Sequence, residues 1–148
     1  MSNTPNLRDQ DFYAWANEQA QLLRAGRLSE ADIELIAEEI ESMGKTEKRE
    51  LVSRLTILLL HLLKWQFQPA LRGNSWRLSI ANARDQLEEH LVDNPSLKSK
   101  LDDAMATSYR YARRDAARET GMDEHKLPSA PPWSFDLIMN ADFWPTGD

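Results

Sequence analysis

Residues 46–67 read TEKRELVSRLTILLLHLLKWQF. Leu51, Val52, Leu55, Leu58, Leu59, Leu60, Leu62, Leu63, Trp65 and Phe67 cover well over half the circumference of a helix with 3.6 residues per turn. A helix apolar on so many sides is one that others pack around. The segment is therefore expected to form a central helix of a bundle, ended by Pro69. Its longest apolar run, Leu55 to Leu63, is interrupted by Thr56 and His61 and falls short of the ~20 residues that span a bilayer. It reads as a core helix.

Helical spacing continues on both sides. Upstream, Phe12, Trp15, Ala16, Gln19, Ala20 and Leu23 predict a first helix, capped by Asp9 or Asp11 and stopped at Gly26. Ser29 opens a second, with Glu30 and Asp32 in its first turn and an apolar stripe of Ile33, Ile36, Ala37, Ile40 and Met43 that ends at Gly44. Downstream, the turn Arg72–Ser75 leads into a fourth helix, capped by Asn74 or Ser75 and running to about Val92. Trp76, Ile80, Ala83, Leu87 and Leu91 mark its buried face. Asn94–Pro95 opens a fifth, to about Thr120, with a small-residue stripe of Leu97, Leu101, Ala104, Met105, Ser108 and Ala112, stopped by Gly121. Alternating strand patterns are absent. The fold class is all-α, a single domain over 1–148: a bundle of about five helices in 1–121 and a proline- and aromatic-rich tail in 122–148 with one short helix capped by Ser134. Trp133, Phe135, Leu137, Ile138, Phe143 and Trp144 in that tail are expected to dock on the bundle; the alternative is a detachable peptide that grips a partner groove.

Composition narrows the chemistry. Hydrophobic residues at 41% and charged residues at 28% of 148 describe a globular chain. The absence of cysteine removes disulfides, thiolate metal sites and cysteine nucleophiles. A net charge of -6 argues against a general nucleic-acid coat protein. The charge is uneven: -6 over residues 1–44, +3 over 45–92 and -3 over 93–148, which suggests internal complementarity or a polarised surface for a partner. Residues 1–11 lack a basic segment followed by an apolar stretch, so a soluble cytoplasmic protein without a membrane partner is expected.

One polar strip runs down the greasy helix. Glu47, Glu50, Arg54, Ile57, His61, Lys64 and Gln68 fall on one narrow face, which either meets water or pairs with an acidic neighbour. Arg54 and His61 sit two turns apart on it, an arginine and a titratable imidazole aligned. Arginine, six residues, then histidine resembles the signature of the HEPN ribonucleases. That resemblance implies proton transfer by His61 and phosphate stabilisation by Arg54, although Leu55 stands where a polar residue usually follows the arginine. Metal binding has little support: His61, His90 and His125 are far apart and neither His-Glu-x-x-His nor Glu-x-x-His occurs. A carboxylate–imidazole site would need Glu38 and Glu41 of the second helix to meet His61 of the third. No glycine-rich phosphate loop and no Gly-x-Ser-x-Gly elbow is present. Arg72, Arg77 and Arg84 around Trp76 form the best basic–aromatic cluster, with Trp76 itself read as core; Arg110, Arg113, Arg114 and Arg118 read as a solvated face.

The ordered set DFYAW (11–15), LRAGR (23–27), IAEEIES (36–42), MGKTEKREL (43–51), HLLKWQFQP (61–69) and SWR (75–77) resembles a bacterial family known as domain of unknown function 29. The similarity continues through residues 94–121 and the closing ADFWP (141–145). It implies a small, soluble, all-helical protein and carries no activity with it. Its recurring positions map onto Trp15, Glu38, Glu39, Glu41, Gly44, Lys48, Arg49, Arg54, His61, Lys64, Trp65, Trp76 and Arg77. Together these features favour a cytoplasmic protein-interaction or regulatory module that uses no cofactor. Its expected company is a protein partner or a second copy of itself, and its candidate contact residues are Glu38, Glu41, Lys64, Trp65, Trp76 and Arg77. The competing expectations are a ribonuclease-like enzyme built on Arg54 and His61, or a buried polar network around His61 that fixes helix register.

Overall fold

A computed structural model of the chain describes residues 6–146; positions 1–5, part of the stretch 1–11 that lacks the pattern of a targeting signal, lie outside the described residues. Among the described residues six α-helices follow one another: α1 (Leu7–Gln10), α2 (Phe12–Arg24), α3 (Ile33–Phe67), α4 (Asn74–Asp93), α5 (Leu101–Thr120) and α6 (Phe135–Met139). Short 3-10 turns occupy Leu28–Glu30, Pro69–Leu71, Pro95–Lys100 and Glu124–Lys126. No strand occurs among the described residues, so the fold is all-α. The chain divides into two compact units, Met1–Lys45 and Thr46–Asp148.

The break expected at Gly44 does not form. Residues 33–67 make one uninterrupted helix of 35 residues, and the second and third predicted helices are a single element. A glycine inside a helix costs about 1 kcal/mol against alanine. Here the strong helix formers of EEIESM before it and KTEKREL after it outweigh that cost, and no proline reinforces a stop. Gly26 and Gly121 do end helices, in the left-handed conformation at φ 71° and 73°. The expected start at Ser29 is also corrected: residues 28–30 form a 3-10 turn and α3 begins at Ile33. Gly73, rather than Asn74 or Ser75, occupies the cap position of α4, and the Asn94–Pro95 restart passes through a 3-10 turn before α5.

In the first unit, Asn6 caps α1 by accepting from the Asp9 amide at 3.0 Å, and Asp11 caps α2 by accepting from Ala14 at 3.0 Å. The Trp15 indole donates to the Asp32 carboxylate at 2.8 Å. Gln19 donates to the same carboxylate at 3.3 Å and accepts from the Asp32 amide at 2.7 Å. Arg8 donates to Glu38 at 2.9 Å and Glu39 at 3.2 Å. Polar bonds thus tie α1 and α2 to the start of α3, and among the described residues of this unit only Trp15 and Gln19 are buried.

The second unit is built the opposite way, around apolar side chains. Leu51, Leu55, Leu58, Leu59, Leu62 and Leu63 of α3 are wholly buried. Ile80, Ala83, Leu87 and Leu91 of α4 close on them, with Ala104, Met105, Tyr109, Ala112 and Ala116 of α5. The small residues of α5 let it approach closely, and buried Ser108 turns its hydroxyl back to the Ala104 carbonyl at 2.6 Å.

The tail completes this core. Leu127 and Ile138 are buried, and Trp133, Phe135, Phe143 and Trp144 pack against the cluster. Ser134 caps α6 by accepting from Leu137 at 3.2 Å, as its position suggested. The Tyr109 hydroxyl donates to the Pro128 carbonyl at 2.5 Å, and burial pushes this phenol up to about 12, which keeps it a neutral donor. Arg84, buried on α4, donates to the carbonyls of Ile138 (2.7 Å), Ala141 (3.3 Å) and Phe143 (2.7 Å). Trp144 leans on Trp65 at 4.8 Å between ring centroids, with the Arg84 guanidinium 5.4 Å from its ring. With its aromatics and backbone so engaged, the tail is docked rather than presented.

Candidate functional site

The polar strip of α3 within the second unit meets its neighbours at two places. At the upstream end Arg54 pairs with Glu50 one turn before it and donates to Gln86 of α4 at 2.5 Å. A groove of about 170 Å³ beside it is lined by Arg54, Gln86, Glu89, His90 and Asp93. His90 is buried, with Nε2 donating to the Glu47 carbonyl at 2.9 Å and Nδ1 3.7 Å from the Glu47 carboxylate. At the downstream end Lys64 donates to Glu119 of α5 at 2.9 Å and sits 5.0 Å from the Trp76 ring. Trp65, one residue on, is buried under the guanidinium groups of Arg72 and Arg77, at 5.2 and 5.3 Å from its ring.

His61 belongs to the downstream end. Its Nδ1 lies 2.8 Å from the Ile57 carbonyl, which only accepts, so the ring donates there and Nε2 keeps its lone pair when neutral. Burial holds its pKa below the ordinary value, helped by Lys64 and opposed by the Ile57 bond and by Glu119. The unfolded chain therefore takes up this proton first as pH falls. The stability contributed by neutral His61 is complete above about pH 6.5 and declines below it. His61→Gln should accordingly flatten the loss of thermal midpoint between pH 7.5 and 5.5; parallel curves for the two proteins would contradict this assignment.

Arg54 and His61 share a face of one helix, about 10 Å apart along its axis, yet they turn to different neighbours. Arg54 is committed to Glu50 and Gln86, whereas His61 lies beside Lys64 and Glu119, and it is not among the residues that line the Arg54 groove. Among the described residues the groove beside Arg54 does not reach His61. Glu38 and Glu41 are not brought to His61 either. They precede it on the same helix, so the hairpin that would juxtapose them does not exist, and Glu38 is paired with Arg8. Among the described residues no group of three or more His, Asp or Glu side chains is gathered to hold a metal. Of the candidate contact residues, the structure joins Lys64 to Trp76 and Arg77 to Trp65, and leaves Glu41 exposed.

The first unit offers a surface of another kind. Ile33, Ile40 and Met43 recur on α3 at 50, 64 and 68% exposure, and Phe12, Leu23 and Leu28 are likewise exposed. Ile33, Ile40 and Met43 belong to the apolar stripe that spacing assigns to a helix interface; they lie bare in this structure, while Ile36 and Ala37 between them are half-buried.

The family model for Domain of unknown function DUF29 matches residues 7–144. The chain belongs to this family. No curated protein and no solved structure matches it. The DUF29 match begins at the first residue of α1 and ends at Trp144, whose ring lies tilted against Trp65, so the tail is part of the family's unit. Of the positions that the resemblance points to, Trp15, Glu38, Glu39, Arg54, His61, Lys64, Trp65 and Trp76 all have named partners, whereas Lys48 and Arg49 are exposed. Among the described residues no helix of this DUF29 chain is long and apolar enough to cross a membrane.

Arg84 is the residue whose role the spacing concealed. The basic–aromatic pattern around Trp76 groups it with Arg72 and Arg77, but positions 80, 84, 87 and 91 share one face of α4. An arginine in the middle of a buried stripe needs acceptors brought to it, and the tail carbonyls are those acceptors.

Proposed function

We propose that this DUF29 chain is a cytoplasmic, non-enzymatic interaction module whose docking surface is the exposed apolar side of the hairpin formed by α2 and the start of α3. The observation that carries this reading is the contrast between the units. Eight large apolar side chains stand exposed over residues 6–45, where two residues are buried, against five over the far longer second unit. Exposed apolar surface on that scale marks an interaction site. The α3 polar strip and the aromatic tail are bonded within the second unit, which supports placing the docking surface on the hairpin.

The test is site-specific crosslinking in cells. A photoreactive residue in place of Met43 should give a discrete protein adduct that disappears when Ile33→Asp and Ile40→Asp are added; the same residue in place of exposed Asn82 on α4 should give none. Identical adducts from both positions would remove the hairpin as the docking surface.

A further inference from the structure

Which partner fits the hairpin follows from its size, its symmetry and the state of its charges. A unit of about 40 residues lies at the lower limit of independent folding, and such units are usually completed by disulfides, metals or association. This one has no cysteine, and its polar ties cross-link α1 and α2 to α3 without enclosing an apolar core.

Phe12, Leu23, Leu28, Ile33, Ile40 and Met43 are each about half exposed. At on the order of 100 Å² apiece they present roughly 600 Å² of apolar surface. Interfaces are about 57% non-polar, so covering all six together would correspond to roughly 1,000 Å² per partner, in the range of the usual ~800 Å² a side.

The stripe is also complementary to itself. Ile33, Ile36, Ile40 and Met43 are spaced three, four and three residues apart, the repeat of a helix seam. Laid antiparallel on a second copy, with the two-fold axis between Ile36 and Ile40, Ile33 meets Met43 and Ile36 meets Ile40, each contact occurring twice. Ala37 and Gly44 flank the seam and let the backbones come close.

A net charge of -6 over residues 1–44 would ordinarily oppose self-pairing. Beside the seam part of that charge is paired locally, Glu39 with Arg8 and Glu30 with Arg27 at 2.5 Å, while Asp32 keeps its charge as it accepts from Trp15 and Gln19; both arginines are already counted in the -6, so the excess acids are left to screening by salt. Glu34 and Glu41 lie about 100° or more around the helix from Ile36 and Ile40, on the flank of the seam.

We infer that the occupant of this surface is a second copy of the chain, joined hairpin to hairpin as an antiparallel four-helix layer. The inference rests on the docking surface proposed above and names its partner. Residual repulsion between two acidic hairpins makes the association tighten as salt rises, the opposite of a basic partner docking on the same acidic unit.

Sedimentation of the purified full chain, at 1–100 μM and in 0.1 and 0.5 M salt, tests it. The expected result is a species of twice 17.0 kDa, at least as populated at high salt. Ile40→Asp with Met43→Asp should weaken association a hundredfold or more at unchanged helical content, whereas Ile57→Asp, at an exposed position of the same helix, should leave it intact. If the double variant fails to fold, cysteine pairing decides instead. Ala37→Cys should oxidise to a covalent dimer, and Leu78→Cys, on exposed α4 surface, should not. A monomer at 100 μM, association lost equally in Ile57→Asp, or equal pairing at positions 37 and 78 overturns the inference. A monomer that still gives the Met43 adduct in cells leaves the docking surface standing with a different partner, and loss of both removes the surface itself.

Discussion

Ending the chain after Gly121 should leave no cooperative unfolding transition in the second unit. The tail supplies two fully enclosed side chains, Leu127 and Ile138, and four aromatics packed against the same cluster. At roughly 1.5–3 kcal/mol for each fully buried large apolar side chain, with smaller amounts from the half-buried rings, the deletion removes more than about 5 kcal/mol. Domains of this size are stable by about 5–15 kcal/mol in all. It also bares Trp65 and strips the Tyr109 hydroxyl and the Arg84 guanidinium of their acceptors. Circular dichroism should retain helix while the thermal transition broadens or vanishes and a hydrophobic dye binds. A truncated chain that melts as sharply as the full one, within a few degrees, would show the tail to be dispensable.

Arg84→Met is the next largest expected effect, a loss of about 3–5 kcal/mol read as a lower denaturant midpoint at unchanged slope. The methionine fills part of the volume, but the carbonyls of Ile138, Ala141 and Phe143 lose a charged donor together and the Trp144 ring loses its cation. Arg84→Lys should recover less than half of the loss, because one ammonium cannot span three carbonyls that the forked guanidinium reaches with Nε, Nη1 and Nη2. Full recovery by lysine would mean that the charge matters and the fork does not. Arg84 addresses backbone oxygens, which every residue carries, so changes at Asn140, Ala141 and Asp142 should be tolerated as long as the path of the chain is kept.

The periodicity of 46–67 was enough to place a leucine-rich helix at the centre of its unit, because burial on many sides leaves an unmistakable pattern. Helix ends were legible at Gly26, Gly121 and Ser134, where a left-handed glycine or a capping hydroxyl does what its residue type favours. They were misread at Gly44, where one glycine stood alone among helix formers. The candidate site was harder to see. Spacing puts Arg54 and His61 on one strip, but a strip says nothing about which neighbour each side chain reaches, and Gln86 and Glu119 come from helices far along the chain. The stripe of Ile33, Ile40 and Met43 was visible as apolar but not as bare, since periodicity identifies a face without saying what covers it.

The clasp on the tail also sets a clock. Helical bundles fold fast because most of their pairings are local, and speed falls as contacting residues lie further apart in sequence. In this one Arg84 reaches a carbonyl 59 positions onward and Arg72 one 73 positions onward. The helices of the second unit can therefore form and gather well before their core is sealed. On a ribosome making about 5–20 residues per second, α3 exists for several seconds with part of its leucine surface waiting for residues 127–145. That interval, rather than the finished molecule, is when this chain is most exposed to proteases and to its own neighbours.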